Sequence, residues 1–207
     1  MPAVLADQIV PSSTAVLTME LQRGVCGDRA SMPALADAVA ACGMIDATAA
    51  LLSAARAAGV LVVHCTFSMP PDPADTVANT PLMAMLVKKQ GYMEHGSEAV
   101  QVVPSLGPEP SDLESNRQHG LSPFGGTDLD ATLRAHGITT VVVAGVSLNV
   151  GIPGTVVEAV NHGYRVVVAR DCVVGLPTEY GEAIIQNTLY VMSTISTSAA
   201  IIAAWPV

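Results

Sequence analysis

Four runs of consecutive apolar residues, rich in Val and Ile, constrain the fold of this chain most strongly. They lie at residues 14–20, 60–66, 138–144 and 164–169. Because these runs lack the alternation of polar and apolar residues that a half-exposed strand shows, each predicts a strand buried on both faces. Strands that alternate with helices predict a mostly parallel sheet covered on both sides. We therefore expect an α/β fold, a three-layer α/β/α sandwich.

Helical spacing of apolar residues predicts the segments that cover this sheet. The Ala-rich segment 33–58 is interrupted only by Gly43 and is followed by Gly59, which predicts one long helix. Shorter helices are predicted at residues 80–89, 128–136, 154–162 and 178–191. The Pro-containing segments 69–73 and 91–112 are predicted to be loops.

Size and charge limit the number of domains and the kinds of partner. The chain has 207 residues, of which 50% are hydrophobic and 13% charged, so it can bury one large core. It has no internal repeat, and we expect a single domain over residues 1–207. The formal net charge is −9. Because an acidic surface repels phosphate groups, we expect a small-molecule substrate as partner, with no nucleic acid and no membrane.

The low proportion of charged residues also predicts that the chain associates with copies of itself. The two longest uncharged runs, residues 137–157 and 183–207, contain polar residues or Gly and Pro, which argues against a membrane span. We expect instead that a second copy covers apolar surface, in a homodimer or homotetramer.

No secretory signal is visible in the first 13 residues, and the four cysteines lack CxxC spacing. We therefore expect a cytoplasmic protein with reduced thiols, no metal site and no cofactor.

Ligands of open parallel sheets bind at the carboxyl ends of the strands, which here predicts site residues within 20–23, 64–69, 145–154 and 171–177. The long polar segment before residue 128 can join them. Glu20 ends the first run, where a partly desolvated carboxyl group suits proton transfer; alternatively it only ends the strand or pairs with Arg23. Residues 145–154 hold three glycines before a predicted helix, which favours either a ligand-binding N-terminus or a plain tight connection. Arg117 and His119 can hold an anionic or carbonyl group, or lie in a solvated loop.

The order of several motifs resembles the isochorismatase-like hydrolase superfamily, also called the cysteine hydrolases. The motifs are Glu-Leu-Gln at residues 20–22, Phe-Gly-Gly-Thr-Asp-Leu-Asp at 124–130, Val-Val-Val-Ala-Gly-Val-Ser-Leu-Asn-Val at 141–150 and Glu-Ala-Val-Asn-His-Gly-Tyr at 158–164. The resemblance covers nearly the whole chain. It implies a single isochorismatase-like domain with a Rossmann-like three-layer sandwich, assembled into dimers or tetramers.

The resemblance also implies that the catalytic triad of the family is substituted. Amidase members use an Asp, a Lys and a Cys. This chain has Glu20 at the Asp position and Gly151 at the Cys position. At the Lys position it has Arg117 or Gln118, depending on the end from which the connecting segment is counted. Without a thiolate no thioester acyl-enzyme can form.

Isochorismatases resemble this chain in carrying Gly at the Cys position, and they use the first-strand acid as proton donor. The resemblance therefore implies a cysteine-independent hydrolase of a small carbonyl- or carboxylate-bearing metabolite, with Glu20 as general acid/base. Arg117 and His119 complete the expected catalytic set. The N–H groups of Val150 and Gly151 are expected to form an oxyanion-type pocket. The expected substrate-binding residues are Gln22, Phe124, Leu148, Asn149, Val150 and Gly151.

The alternative is a catalytically silent family member that binds a small ligand or acts as an assembly subunit. Substitution at all three triad positions favours this alternative, whereas Glu for Asp and Arg for Lys keep the sign of the charge and favour an enzyme. The surroundings of Glu20 discriminate between the two. A cavity shared with Arg117 or His119 favours catalysis, and a salt bridge to Arg23 without a cavity favours the silent protein.

Overall fold

Six parallel strands form the central sheet of the computed structural model, which describes residues 4–89 and 91–205. The strands are β1 (Thr14–Met19), β2 (Leu61–Phe67), β3 (Leu113–Arg117), β4 (Thr140–Val146), β5 (Arg165–Val174) and β6 (Thr194–Ser196). Their order across the sheet is β3-β2-β1-β4-β5-β6, and each neighbouring pair is parallel. The chain winds outward in opposite directions from β1 and β4. Ligand sites of such sheets lie beyond the carboxyl ends of the strands at this switch point.

Helices cover both faces of the sheet. They are α1 (Leu5–Gln8), α2 (Arg23–Cys26), α3 (Pro33–Cys42), α4 (Met44–Ala57), α5 (Pro81–Leu86), α6 (Leu129–Ala135), α7 (Gly151–Asn161), α8 (Thr178–Asn187) and α9 (Ser198–Ala204). Short 3₁₀ turns lie at Pro11–Ser13, Pro73–Asp75, Glu98–Val100, Pro104–Leu106 and Leu189–Val191. The ends of the predicted domain, residues 1–3 and 206–207, lie outside the described residues.

Two hydrophobic cores confirm the three-layer sandwich. Successive side chains of a strand point to opposite faces. Val16 of β1 therefore belongs to one core, with helices α3, α4 and α9, whereas its neighbour Leu17 belongs to the other, with α6, α7 and α8. All seven residues of β4 are buried, as the run of Val residues predicts.

The prediction of one helix over residues 33–58 is wrong. Gly43 has a φ of 70°, in the left-handed region, where glycine commonly ends a helix. It separates α3 from α4, and the two helix axes are bent by 65°. Within residues 4–89 and 91–205, no single helix is long and apolar enough to cross a membrane, although α3 and α4 meet that criterion when taken together. The bend lets α4 pack on the sheet while the start of α3 reaches the cavity described below.

The two edge strands lie outside the predicted runs. In β3 the sequence is Leu-Glu-Ser-Asn-Arg, with Ser115 and Arg117 buried and Glu114 and Asn116 exposed. An edge strand pairs on one side only and needs no continuous apolar run. The same holds for β6, whose residues are half-buried. No strand was predicted at β3, whose last residue, Arg117, is one of the candidate site residues.

Candidate active site

Glu20 follows the end of β1 in an unusual backbone conformation. Its φ is 50°, in the left-handed region that residues other than Gly rarely adopt. Two hydrogen bonds fix this turn: the Glu20 N–H donates to the Cys65 carbonyl (2.9 Å), and the Glu20 carbonyl accepts from the Gln22 N–H (2.8 Å). Strained backbone of this kind persists where its surroundings determine it, often at functional sites.

Arg117 pairs with Glu20 across the end of β2. Its Nη2 donates to Glu20 Oε1, and its Nε donates to the Gly120 carbonyl at 3.4 Å. The Arg117 side chain is 4% exposed and that of Glu20 is 19% exposed. The guanidinium carbon lies 5.2 Å from the centre of the Phe67 ring, within cation–π distance. Among the described residues, Arg117 Nη1 is buried without an acceptor.

The position of Arg117 answers the question that counting along the sequence left open. Arg117, rather than Gln118 or His119, faces Glu20. Arg23 pairs instead with Asp28, through a 2.7 Å contact, so Glu20 is not bound in the salt bridge that the silent alternative requires.

A cavity of about 530 Å³ adjoins the Glu20–Arg117 pair. Its polar wall comes from the carboxyl edge of the sheet and from the connection between β4 and α7. This wall contains Glu20, Arg117, Ser147, Asn149 and Gly151. The apolar part of the lining is contributed mainly by α3 and α5. The predicted substrate-binding residues Asn149, Val150 and Gly151 therefore do line one cavity with Glu20.

Gly151 begins α7 and forms part of the cavity surface. A Cβ atom built on Gly151 would lie 2.9 Å from the Val146 carbonyl oxygen and 3.1 Å from Met19 Cε. The distance to the Val146 oxygen is shorter than the distances that Cβ atoms show in proteins, and this oxygen belongs to the backbone. Gly151 is therefore packed as a glycine, and a cysteine at this position requires the surrounding chain to move.

The expected oxyanion pocket is corrected at one of its two donors. The Val150 N–H donates to the Ser147 carbonyl at 3.1 Å, so it is engaged within the loop. The Gly151 N–H has no acceptor among the described residues. As the first residue of an eleven-residue helix, it offers a free donor at the positive end of the helix dipole.

Gln22, predicted to bind substrate, instead fastens the end of β2 to a neighbouring segment. Its Nε2 donates to the Phe67 carbonyl (2.9 Å) and to the Val100 carbonyl (2.7 Å), and its Oε1 accepts from the Phe67 N–H (2.8 Å). Gln22 is fully buried. It holds Phe67, on which Arg117 stacks, and so supports the site from behind.

The structure also corrects the placement of Phe124, Leu148 and His119. Phe124 stacks on His162, with ring centres 5.2 Å apart, in the core beneath α7. Leu148 packs against Gly175 and Gly181. His119 is exposed and covers Gly126. Together with Gln22, these three lie outside the group of described residues that line the cavity.

Thiol groups are absent from the cavity wall, judged on the described residues, which include all four cysteines. Cys26 is the cysteine nearest to Glu20 in the sequence, and its Sγ donates to the Gln22 carbonyl at 3.6 Å. Burial raises the pKa of Cys26, Cys65 and Cys172 to about 12. These buried thiols are protonated at neutral pH and are poor nucleophiles.

Tyr92 is a cavity residue that the sequence analysis missed. It is half-buried on the same wall as Glu20 and Arg117. Burial, followed by the negative charge of Glu20, raises the pKa of the Tyr92 phenol above its ordinary value. Tyr92 is therefore a neutral hydroxyl donor in this site. Its segment was predicted as a featureless loop, and no local sequence signal marks it.

Comparison with known proteins gives consistent relatives. The isochorismatase domain model matches residues 14–200. The chain is 33% identical over 133 residues to a maleamate amidohydrolase from Pseudomonas putida, which covers 62% of this chain and 59% of that protein. It is 29% identical over 175 residues to a ureidoacrylate amidohydrolase from Methylobacterium radiotolerans, covering 78% and 67%. The match to the first relative thus spans less than two thirds of its length.

Solved structures share the same fold. A cysteine hydrolase from Pseudomonas syringae pv. phaseolicola superposes with a TM-score of 0.78 at 23% identity, covering 95% of this chain and 94% of that one. An isochorismatase family protein from Burkholderia thailandensis superposes with a TM-score of 0.77 at 26% identity, covering 96% and 98%.

Proposed function

Because this chain belongs to the isochorismatase family, we propose that it is a cysteine-independent hydrolase of a small carbonyl- or carboxylate-bearing metabolite, with Glu20 as general acid/base. One observation carries the proposal: the Glu20–Arg117 pair lines a cavity of about 530 Å³ together with the tightly packed Gly151. The resemblance implies that Gly151 stands at the family's cysteine position. An intact acid–base pair beside a cavity supports retained chemistry without a thiolate.

The reaction begins with Glu20 as the base. The Glu20 carboxylate takes a proton from a water molecule in the cavity. The water oxygen attacks the carbonyl carbon of an ester or amide and forms a tetrahedral oxyanion. Glu20 then returns the proton to the leaving oxygen or nitrogen as the carbon–heteroatom bond breaks. The products are a carboxylic acid and an alcohol or amine.

Three groups are proposed to stabilise and orient the reacting carbonyl. Arg117 supplies positive charge but cannot share its proton as a lysine does, so it acts as an anion clamp. The free N–H of Gly151 and the neutral hydroxyl of Tyr92 supply hydrogen bonds to the oxyanion. His119, which is exposed and outside the cavity wall, has no role in this scheme.

The amidohydrolase relatives support testing amide hydrolysis first. Two relatives, a maleamate amidohydrolase and a ureidoacrylate amidohydrolase, are named for the hydrolysis of amides. At 33% and 29% identity they suggest this reaction type for the chain. The glycine at position 151 requires that water attack directly rather than after an acyl transfer to sulfur.

The second candidate is a silent protein that binds a small ligand. Its support is that the Glu20 carboxyl group is held in a salt bridge by Arg117. In this case the same cavity binds a metabolite without turning it over, and the subunit contributes through binding or assembly alone.

A substrate panel separates the two candidates. Amides, esters and vinyl ethers of small carboxylic acids are incubated with the wild type, with Glu20→Gln and with Glu179→Gln, an exposed acid on α8 that serves as the matched control. We expect Glu20→Gln to lower kcat about 10²–10⁴-fold, because it removes a general base, and Glu179→Gln to leave kcat unchanged. Equal rates for wild type and Glu20→Gln contradict the proposal. Binding of the panel without turnover supports the silent protein.

A further inference from the structure

We infer that the substrate is amphiphilic, with a carbonyl or carboxylate head at Glu20 and Arg117 and an aliphatic body of several carbons against α3 and α5. This inference rests on the proposed function, and it specifies the class of molecule that the same cavity accepts. The cavity lining combines one charged pair with a set of large aliphatic side chains.

Large aliphatic side chains form much of the cavity lining, and we call this part of the lining the apolar wall. It comprises Met32, Leu35, Leu82, Met83, Leu86 and Leu176. Glu20 and Arg117 are the only charged residues among the described residues that line the cavity, and both lie at its sheet side. A polar ligand would leave this wall in contact with water, whereas an aliphatic body removes apolar surface from water on both partners.

Helix α5 holds this wall in place by a defined N-terminus. Thr80 caps the helix, with its Oγ1 accepting a hydrogen bond from the Met83 N–H at 3.1 Å, and Pro81 follows in the first turn. Met83 and Leu86 are buried, and Leu82 is half-buried toward the cavity. Two of the wall residues, Met32 and Met83, have flexible thioether side chains that adapt to ligands of differing shape.

The charged side of the cavity limits the head of the ligand. Glu20 and Arg117 together are close to neutral, so the site suits one carbonyl or one carboxylate rather than a multiply charged group. Arg117 Nη1 has no acceptor among the described residues. A buried donor without a partner is unfavourable, and a ligand oxygen that reaches this guanidinium relieves that cost.

The first test varies the length of the acyl chain. The probes are p-nitrophenyl acetate, butanoate and hexanoate, compared by kcat/KM with the wild type. We expect kcat/KM to rise about fourfold for each added methylene, because each buried methylene group is worth about 0.8 kcal/mol. Leu82→Gln should flatten this rise, because it places a polar group where the aliphatic chain packs. Met85→Gln, on the exposed side of the same helix and outside the cavity wall, should leave the rise intact.

Ligand binding distinguishes failure of this inference from failure of the proposed function. The probes are acetate and hexanoate, titrated calorimetrically into the wild type, a measurement that needs neither turnover nor a variant. We expect hexanoate to bind at least about tenfold more tightly. Tighter hexanoate binding without turnover of any amide, ester or vinyl ether of the panel supports the amphiphilic ligand and overturns the hydrolase. Equal binding constants, or hydrolysis rates independent of chain length, overturn the inference, and turnover of any member of the panel then leaves the hydrolase standing.

Discussion

Met19 packs over Gly151, with its Cε 3.1 Å from the point where a Cβ atom on Gly151 would lie. The last residue of the first strand thus contacts the first residue of α7, at the position where amidases of the family are expected to carry cysteine. The Val146 carbonyl oxygen closes the same space from another side, at 2.9 Å. The site is therefore packed around glycine rather than simply lacking a side chain.

Restoring a cysteine at this position should not restore cysteine-dependent activity. Gly151→Cys forces the chain against the Val146 carbonyl, and we expect the free energy of unfolding to fall by about 1–3 kcal/mol. Gly154→Ala in the same helix is the control, because a Cβ there meets nothing closer than 3.5 Å. Urea unfolding and activity before and after thiol alkylation measure both effects. A stable Gly151→Cys variant with alkylation-sensitive activity would contradict this packing argument.

The ion pair between Glu20 and Arg117 should appear as coupling in a double-mutant cycle. Glu20→Gln and Arg117→Met each leave one polar partner in a largely buried site, whereas the double variant removes both charges. We expect the double variant to be more stable than the sum of the single losses predicts, by about 0.5–3 kcal/mol. Urea unfolding of the four proteins measures the coupling. Strict additivity would mean that the pair contributes nothing to stability.

Gln22 should affect both stability and activity although it does not reach the cavity. Gln22→Leu leaves the N–H and carbonyl of Phe67 without their side-chain partners, and we expect a loss of about 2–4 kcal/mol. Because Phe67 supports the Arg117 guanidinium, kcat should also fall. Gln186→Leu, on the exposed part of α8, is the control for the change of residue type. Unchanged stability of Gln22→Leu would remove Gln22 from its supporting role.

The fold followed from the sequence further than the site did. The strands β1, β2, β4 and β5 are recognisable because burial on both faces demands continuous apolar residues, and Glu20 stood out because it ends the first of them. Edge strand β3 is not recognisable in the sequence, because a strand that pairs on one side only can contain polar residues. Since Arg117 lies at its end, the sequence alone does not identify the partner of Glu20. Gln22 was expected in the cavity and Tyr92 was not, since only the folded chain brings Gln22 to Phe67 and Tyr92 to Glu20.

Alkylation should leave activity intact. The high pKa of about 12 for Cys26, Cys65 and Cys172 keeps these buried thiols protonated, whereas Cys42 is exposed. We expect iodoacetamide at neutral pH to modify Cys42 alone, as read by mass spectrometry, with no loss of turnover. Cys42→Ser should then be both unmodified and fully active. Inactivation that tracks modification of Cys26 would mean that a thiol takes part in the reaction.

Acid should destabilise the protein through His64, which lies in a buried hydrogen-bonded chain on the second strand. Its Nδ1 contacts Thr18 Oγ1 at 2.8 Å and its Nε2 contacts Asp112 Oδ2 at 3.2 Å, while Arg56 Nη2 donates to the same Asp112 oxygen at 2.8 Å. Burial lowers the pKa of His64 below its ordinary value of 6.5, against the opposing effect of Asp112. The unfolded chain therefore binds more protons than the folded one once the pH falls through that value, and the free energy of unfolding decreases with it.

The pH range of this loss of stability distinguishes the effect of His64 from the effects of the carboxylate groups near it. Although burial opposes them, hydrogen bonds from Arg56, the Glu109 N–H and His64 hold the pKa of Asp112 below its ordinary value of 3.8. The stability contributed by Asp112 is therefore lost only at lower pH. We expect His64→Asn to flatten the dependence of unfolding free energy on pH just below 6.5, and the exposed His136→Asn to keep it. Chemical denaturation at a series of pH values measures both. An unchanged slope in His64→Asn would assign the acid sensitivity to another group, because Asn cannot take up the proton that the unfolded histidine binds.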